Sequence, residues 1–81
     1  MHEWFQERKT IAELEAENMY EDRPFGYMNA DWERLKAEVM DGDELWTFST
    51  PDDYWRNLAG RAGVALVRDG VAIRQMITRM N

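Results

Sequence analysis

The chain has 81 residues, no cysteine, and sixteen acidic against ten basic residues, which gives a formal net charge of −6. This length favours one domain with a single core, and the lack of cysteine excludes disulfides and thiolate metal sites. No apolar run is long enough to cross a membrane and the first residues lack the pattern of a signal peptide, so we expect a cytoplasmic protein.

The charge is unevenly distributed along the chain. Residues 1–53 contain fifteen acidic and five basic residues, whereas residues 54–81 contain five arginines and one aspartate. This asymmetry predicts one of two arrangements. Either the two segments present charged surfaces to different partners, or acidic helices pack beside an arginine-bearing sheet and neutralise it internally.

The N-terminal half predicts two helices. Residues 1–9 show no clear period and fit either a helix or an ordered arm. Thr10 and Glu13 have the spacing of a capping box, and the pattern after them predicts a helix to about Asp22. The sequence around Pro24 predicts a loop, because proline disfavours helix in the residue before it.

A second helix is predicted from Asn29, which is a suitable N-cap, to about Met40. Its apolar residues follow one another at spacings of four, three and four, as an amphipathic helix requires. This stripe consists of Met28, Trp32, Leu35 and Val39. Residues 44–49 then alternate as a strand, with Trp46 and Phe48 on one face.

A short third helix is predicted after Thr50, which is a suitable N-cap, with Pro51 in the first helical position. Gly60 is predicted to end this helix in a left-handed conformation. Asp69 and Gly70 then predict a type I′ turn, the turn that joins two strands in a tight β-hairpin.

The hairpin turn also predicts a register for the last two strands. The predicted cross-strand pairs are Arg68 with Val71, Leu66 with Ile73, and Val64 with Gln75. This register places five apolar side chains on one face, which we expect to be the core face. They are Val64, Leu66, Val71, Ile73 and Ile77.

Together these elements predict one α+β domain over residues 1–81 with the order ααβαββ. We expect a three-stranded antiparallel or mixed sheet with helices on one face and a C-terminal β-hairpin. The chain would divide into residues 1–9 as the helix or arm, residues 10–41 as an acidic helical part, and residues 42–81 as a β-α-β-β part.

Several stretches of residues 42–81 occur together in a distinctive order. They are Gly42-Asp43-Glu44-Leu45-Trp46-Thr47-Phe48-Ser49-Thr50-Pro51, Trp55, Leu58-Ala59-Gly60-Arg61-Ala62-Gly63, Leu66-Val67-Arg68-Asp69-Gly70 and Thr78-Arg79-Met80-Asn81. This half of the chain resembles a family of small uncharacterised bacterial proteins with no assigned activity. The resemblance implies a bacterial or phage origin and supplies no catalytic residue or cofactor.

The sequence offers few groups for catalysis or metal binding. His2 is the only histidine and Ser49 the only serine, so we expect neither a zinc site nor a nucleophilic triad. The adjacent acids Asp52 and Asp53 fit the start of a helix, where they favour the macrodipole, better than acid–base catalysis. We therefore expect a non-enzymatic protein without a metal or cofactor.

The favoured functional prediction is a small acidic module that binds a protein with a basic surface, since charge complementarity speeds encounter. A bacterial or phage-borne inhibitor, antitoxin or immunity-type protein would act in this way. The acids predicted to contact the partner are Glu13, Glu17, Glu21, Asp31 and Glu38. Trp4 and Tyr20 are the predicted aromatic anchors.

Two alternatives stay open. One is a nucleic-acid-binding module that uses Arg61, Arg68, Arg74 and Arg79. The string from Gly60 to Gly63 matches the GxxG loop of KH domains, but here it would join a helix to a strand rather than two helices. Nucleic acid is therefore the less favoured partner, and no membrane contact is expected.

The other alternative is a self-associating structural protein such as a homodimer, because the N-terminal part is rich in aromatic and Met side chains.

Overall fold

The structure is a computed structural model that describes residues 2–81. Its strands and helices, in chain order, are β1 (Phe5–Lys9), α1 (Ile11–Glu17), β2 (Met19–Tyr20), β3 (Arg23–Pro24), α2 (Asn29–Glu38), β4 (Glu44–Ser49), α3 (Asp52–Arg56), β5 (Arg61–Arg68) and β6 (Val71–Met80). Short 3-10 turns occupy His2–Trp4 and Gly26–Met28.

The main sheet has four antiparallel strands in the order β1-β4-β5-β6, and β2 and β3 form a separate two-stranded sheet. The predicted α+β class is confirmed, whereas the predicted order ααβαββ with three strands is wrong. The strand that we missed in the main sheet is β1. Its sequence, FQERK, is half-buried only at its two ends, so it has no apolar alternation that would predict a strand.

Helix α1 begins as predicted and ends earlier than predicted. Thr10 and Glu13 form the expected capping box. The helix stops at Glu17 rather than near Asp22, because Glu21 and Asp22 adopt left-handed backbone conformations, with φ of 48° and 67°. A helix cannot continue through such residues, and the chain turns back as the β2–β3 hairpin instead.

The main core lies between helices α1 and α2 and one face of the sheet. The predicted α2 stripe is confirmed, since Trp32 and Leu35 are buried and Met28 and Val39 pack against them while half-buried. The buried members of this core are Leu14, Trp32, Leu35, Leu45, Val64, Leu66 and Met76.

The other face of the sheet carries a second apolar cluster. Trp46 and Phe48 lie together in it, as their alternation predicted. The rings of Phe5 and Trp46 stack with centroids 5.6 Å apart, and Trp4 meets Tyr54 edge-on at 5.7 Å. Aromatic pairs of this geometry add about 0.5–1.5 kcal/mol each to the area that they bury. Both faces of the sheet are therefore apolar, although our prediction assigned a core to only one.

The C-terminal hairpin has the predicted turn. Asp69 and Gly70 have φ of 53° and 78°, and Arg68 lies opposite Val71. The rest of the predicted register is wrong, because a β-bulge interrupts the pairing between Leu66 and Val67, and a second irregularity interrupts it between Ala62 and Gly63. A bulge adds one residue to one strand and exchanges the faces of the residues that follow it, as far as the next irregularity.

The bulge changes which side chains reach the core. Leu66 lies opposite Arg74 and Val64 lies opposite Met76, rather than Ile73 and Gln75. Met76 therefore joins the main core. Of the residues predicted to share the core face, Ile77 packs on the other side of the sheet and Val71 is 59% exposed.

The predicted roles of three residues at the starts of helices α2 and α3 are also corrected. Met28 rather than Asn29 is the N-cap of α2, and the Asn29 side chain donates to the Pro24 carbonyl at 3.0 Å. Pro51 is the N-cap of α3, whereas the Thr50 hydroxyl accepts from the Arg61 N–H at 3.0 Å. Each side chain stabilises a neighbouring strand or loop instead of a helix start.

Gly60 does not end α3 in a left-handed conformation, since Leu58 takes that role with a φ of 59°. Glycine is needed at position 60 for another reason. A Cβ atom there would lie 2.1 Å from the Trp55 ring, well inside van der Waals contact. The Trp55 indole N–H donates to the Thr50 carbonyl at 3.1 Å, so Gly60 leaves room for the Trp55 ring in this position.

Candidate functional site

Three of the predicted partner-binding acids are engaged in ion pairs within the chain. These pairs are Glu17 with Lys9 at 2.9 Å, Asp31 with Arg34 at 2.7 Å, and Glu38 with Arg74 at 2.9 Å. Such exposed pairs contribute little stability individually. They nevertheless neutralise much of the charge that the sequence suggested for the helices.

Glu13 has a local structural role. Its carboxylate accepts from the Thr10 N–H at 2.9 Å, and its own N–H donates to the Thr10 hydroxyl at 3.1 Å. The hydrogen bond from the Thr10 N–H is the main cause that lowers the pKa of Glu13, because it stabilises the ionised carboxylate, and the Thr10 side chain lowers it further. Glu13 therefore stabilises the start of α1.

The four C-terminal arginines do not form one surface. Arg61 and Arg68 begin and end β5, so they lie roughly 24 Å apart along an extended strand. Arg79 stacks on the Trp55 ring, with its guanidinium carbon 4.6 Å from the centroid. Arg74 pairs with Glu38 on α2.

Arg68 makes the most extensive of these contacts. Its guanidinium donates twice to Asp43, at 2.9 and 2.8 Å, and the Asp43 side chain is only 3% exposed. The hydrogen bonds from Arg68 lower the pKa of Asp43. Arg68 therefore fastens the loop after α2 to the sheet, which leaves little of its charge for a phosphate backbone.

The two predicted aromatic anchors lie on different sides of the main sheet. Trp4 is half-buried in the second apolar cluster. Tyr20 is 66% exposed and belongs to the β2–β3 hairpin, which packs on the side of α1 and α2. A single flat partner surface cannot contact both.

The β2–β3 hairpin is the feature that best resembles a contact site. Met19 pairs with Pro24 and Tyr20 pairs with Arg23, which leaves Glu21 and Asp22 as a two-residue turn. We call residues 19–24 the acidic hairpin. The Phe25 N–H donates to the Asn18 carbonyl at 2.8 Å and closes its base.

The acids of this turn are not neutralised. In the part of the chain that the structure describes, no basic side chain forms an ion pair with Glu21 or Asp22. Large side chains are exposed in and just beyond the hairpin, since Met19 is 51% exposed, Tyr20, which precedes Glu21 in the chain, is 66% exposed, and Tyr27 is 95% exposed. Unpaired carboxylates thus lie beside aromatic surface, which protein interfaces favour.

The predicted contact residues included Tyr20 and Glu21 but not Asp22, and Met19 and Tyr27 entered only as members of the apolar N-terminal part that a homodimer could use. These residues lie in or beside a turn that lacks the Asn-Gly or Asp-Gly pair by which such turns are predicted. The only sign in the sequence that the helix ends near this turn is that Pro24 and Gly26, shortly after Asp22, interrupt the helical pattern.

The turn stores backbone strain, which leads to a testable prediction. Left-handed conformations cost about 1–2 kcal/mol for residues other than glycine, and less for Asp and Asn. Changing Glu21→Asn and Asp22→Gly together should therefore stabilise the protein by about 1–2 kcal/mol. Urea unfolding followed by circular dichroism measures this change. An unchanged or lowered stability would contradict the assigned turn.

A second feature is a groove between α2 and strand β6. Two adjoining hollows of about 350 and 430 Å³ share Met28, Asp31 and Ile77 in their walls. Here the structure brings together two predicted acids, Asp31 and Glu38, and two arginines of the alternative set. These arginines are Arg74 and Arg79. We call this feature the α2–β6 groove.

Comparison with known proteins identifies no family for this chain. No family model matches the sequence, and searches of curated proteins and of solved structures give no match. The resemblance of residues 42–81 to small bacterial proteins therefore stays a prediction.

Within residues 2–81, no three side chains of the metal-binding types come close enough together to hold an ion. Over the same range, no helix has the length and apolar character needed to span a bilayer.

Proposed function

We propose that this chain is a non-enzymatic protein-binding module whose contact surface is the acidic hairpin. The observation that supports it is the pair of unneutralised carboxylates, Glu21 and Asp22, beside the exposed ring of Tyr20. The expected partner is a protein with a basic surface. This proposal keeps the predicted partner class and narrows the predicted contact surface.

The chemistry of the hairpin suits arginine or lysine side chains. A guanidinium can stack on the face of Tyr20 and donate to the carboxylates of the turn. Tyrosine loses little side-chain entropy when it is fixed in an interface, since it has only two side-chain torsions. The net charge of −6 would also attract a basic partner over longer distances.

A bacterial or phage-borne inhibitor, antitoxin or immunity-type protein is the specific form that we propose. Such a protein would cover a basic surface that its target uses to bind nucleic acid. The alternative in which this chain itself binds nucleic acid is weaker, because Arg68 and Arg74 are in ion pairs and Arg61 lies far from Arg68.

Paired charge variants test the proposal. The variant Glu21→Gln/Asp22→Asn should bind the partner about tenfold or more weakly, because it removes both carboxylates of the turn. Tyr20→Ala should cost about 2 kcal/mol of binding free energy if Tyr20 is an anchor. The partner would first be captured at low salt by a photo-crosslinking residue at position 20, and its affinity then measured by calorimetry.

Asp52→Asn/Asp53→Asn is the matched control, because it removes the same charge from the exposed start of α3. This control should keep most of the affinity. Equal losses of affinity in the two double variants would show that binding depends only on net charge. Unchanged affinity in Glu21→Gln/Asp22→Asn would show that the acidic hairpin is not the contact surface. The variant Glu21→Asn/Asp22→Gly should be more stable and should still bind about tenfold or more weakly, because it too lacks both carboxylates.

A further inference from the structure

The two edges of the main sheet differ in how well they are protected against pairing with another strand. Edge strand β1 has five residues, three of them charged, and an irregularity in its pairing. Charged residues, short length and bulges are the usual protections of an edge. Edge strand β6 also has irregularities in its pairing, at two places, but it has ten residues, of which only Arg74 and Arg79 are charged. Its greater length and lower charge therefore distinguish it from β1. Among residues 2–81, no strand pairs with its outer side.

The surroundings of β6 are open and partly apolar. The α2–β6 groove runs beside it, and Val71 and Met80, at the two ends of the strand, are 59% and 63% exposed. In an antiparallel strand, alternate N–H and C=O groups point away from the paired neighbour. The outer edge of β6 therefore offers both backbone hydrogen bonds and space for side chains.

We propose that β6 pairs antiparallel with β6 of a second copy of this chain, which would join the two sheets into one of eight strands. This inference goes beyond the proposed function, since it concerns another surface. Two-fold symmetry about the middle of β6 would place each end of the strand beside the opposite end in the second copy.

The charges of the groove are suited to this symmetry. Helix α2 runs antiparallel to β6, so that Glu38 lies near Arg74 and Asp31 lies near Arg79. A two-fold axis brings the Arg79 end of one copy to the Glu38 end of the other. Within its own chain Arg79 stacks on Trp55 and forms no ion pair among the described residues. The second copy would give it a carboxylate partner.

The size of the surface is at the lower limit for a specific dimer. The molecule measures 34 × 33 × 17 Å, and ten extended residues span about 34 Å. A flat edge of that length and of the 17 Å thickness would bury about 1,200 Å² in two copies, where specific interfaces begin. We therefore expect a dissociation constant in the micromolar range.

A charge exchange tests the pairing of Arg79 with Glu38 of the second copy. Sedimentation of the full chain between about 1 and 200 μM should show a dimer. Arg79→Glu and Glu38→Arg should each weaken it tenfold or more, because each creates two like-charge contacts across the axis. An equimolar mixture of the two variants should restore a heterodimer, since both contacts then join opposite charges.

A second variant is independent of the ion pairs. Gln75 is exposed near the middle of β6, so Gln75→Lys would bring two like charges together near the axis and should also weaken the dimer. Circular dichroism must first show that each variant is folded. A monomer at 200 μM would overturn the inference, as would a dimer that none of these variants weakens. The hairpin variants Glu21→Gln/Asp22→Asn should dimerise normally, so failure of this inference is distinguishable from failure of the proposed function.

Discussion

Replacing Gly63 with alanine should remove a large part of the protein's stability. A Cβ atom at this position would lie 1.9 Å from the Met76 carbonyl oxygen and 3.1 Å from the Ile77 Cα. Both are backbone atoms of the paired strand β6, so the clash can be relieved only by separating the strands. We expect a cost of about 3–5 kcal/mol, against a total stability of about 4–12 kcal/mol for an 81-residue domain.

Gly42→Ala is the control for this experiment. Gly42 has a φ of +87°, but a Cβ atom there has no neighbour within 4 Å. Substituting Gly42 with alanine should therefore cost only the free energy of holding a residue other than glycine at positive φ, about 1–2 kcal/mol. Urea unfolding of both variants separates the steric cost from the conformational cost. If Gly63→Ala were no less stable than Gly42→Ala, the close approach of β5 and β6 at Gly63 would be wrong.

Replacing Trp32 with alanine should lower the free energy of unfolding by a similar amount. Trp32 is fully buried, and its ring lies 4.9 Å from that of Phe25. Its indole N–H donates at 2.9 Å to the Glu15 carboxylate, which also accepts from Lys36. The substitution removes the largest side chain of the main core, and we expect it to cost about 3–5 kcal/mol.

Trp32→Phe is a milder substitution, because it keeps an aromatic ring in the core while it removes the donor to Glu15 and part of the buried ring volume. We expect it to cost less than half as much as Trp32→Ala. Tyr27→Ala is the surface control and should change stability by less than about 0.5 kcal/mol. Unfolding followed by circular dichroism avoids the change in fluorescence that loss of a tryptophan causes. A cost below 1 kcal/mol for Trp32→Ala would contradict the buried position.

Local signals in the sequence predicted local structure well. The Thr10–Glu13 capping box, the α2 stripe and the Asp69–Gly70 turn all depend on residues close together in the chain. Each is confirmed. The geometry of each feature depends on a short stretch of neighbouring residues, so the pattern of residue types is enough to predict it.

Features that depend on distant parts of the chain were not predicted. The bulge at Leu66 arises from how β5 and β6 fit together, and nothing in either strand alone marks it. Strand β1 is defined by its pairing with β4 rather than by its own apolar pattern. The β2–β3 turn contains Glu21 and Asp22 in place of the usual glycine or asparagine, so turn chemistry gave no warning.

The same distinction applies to the candidate site. Sequence reasoning identified acids as important but could not tell which of them have basic neighbours. Glu17 and Glu38 are paired with residues from other elements, whereas Glu21 is not. Only the tertiary structure makes that difference visible.

The pairing of β1 with β4 also bears on the order in which the protein is assembled during synthesis. Glu7 and Thr47, which form a hydrogen bond across this pair, are forty residues apart. Strand β1 leaves the ribosome before the other strands of this sheet, yet β4, the one strand within residues 2–81 that pairs with it, is made much later. The β5–β6 hairpin closes locally and rapidly, whereas closing a long loop costs more entropy. We therefore expect the sheet to grow from its C-terminal hairpin toward β1, so that the first strand to be made is the last to be incorporated.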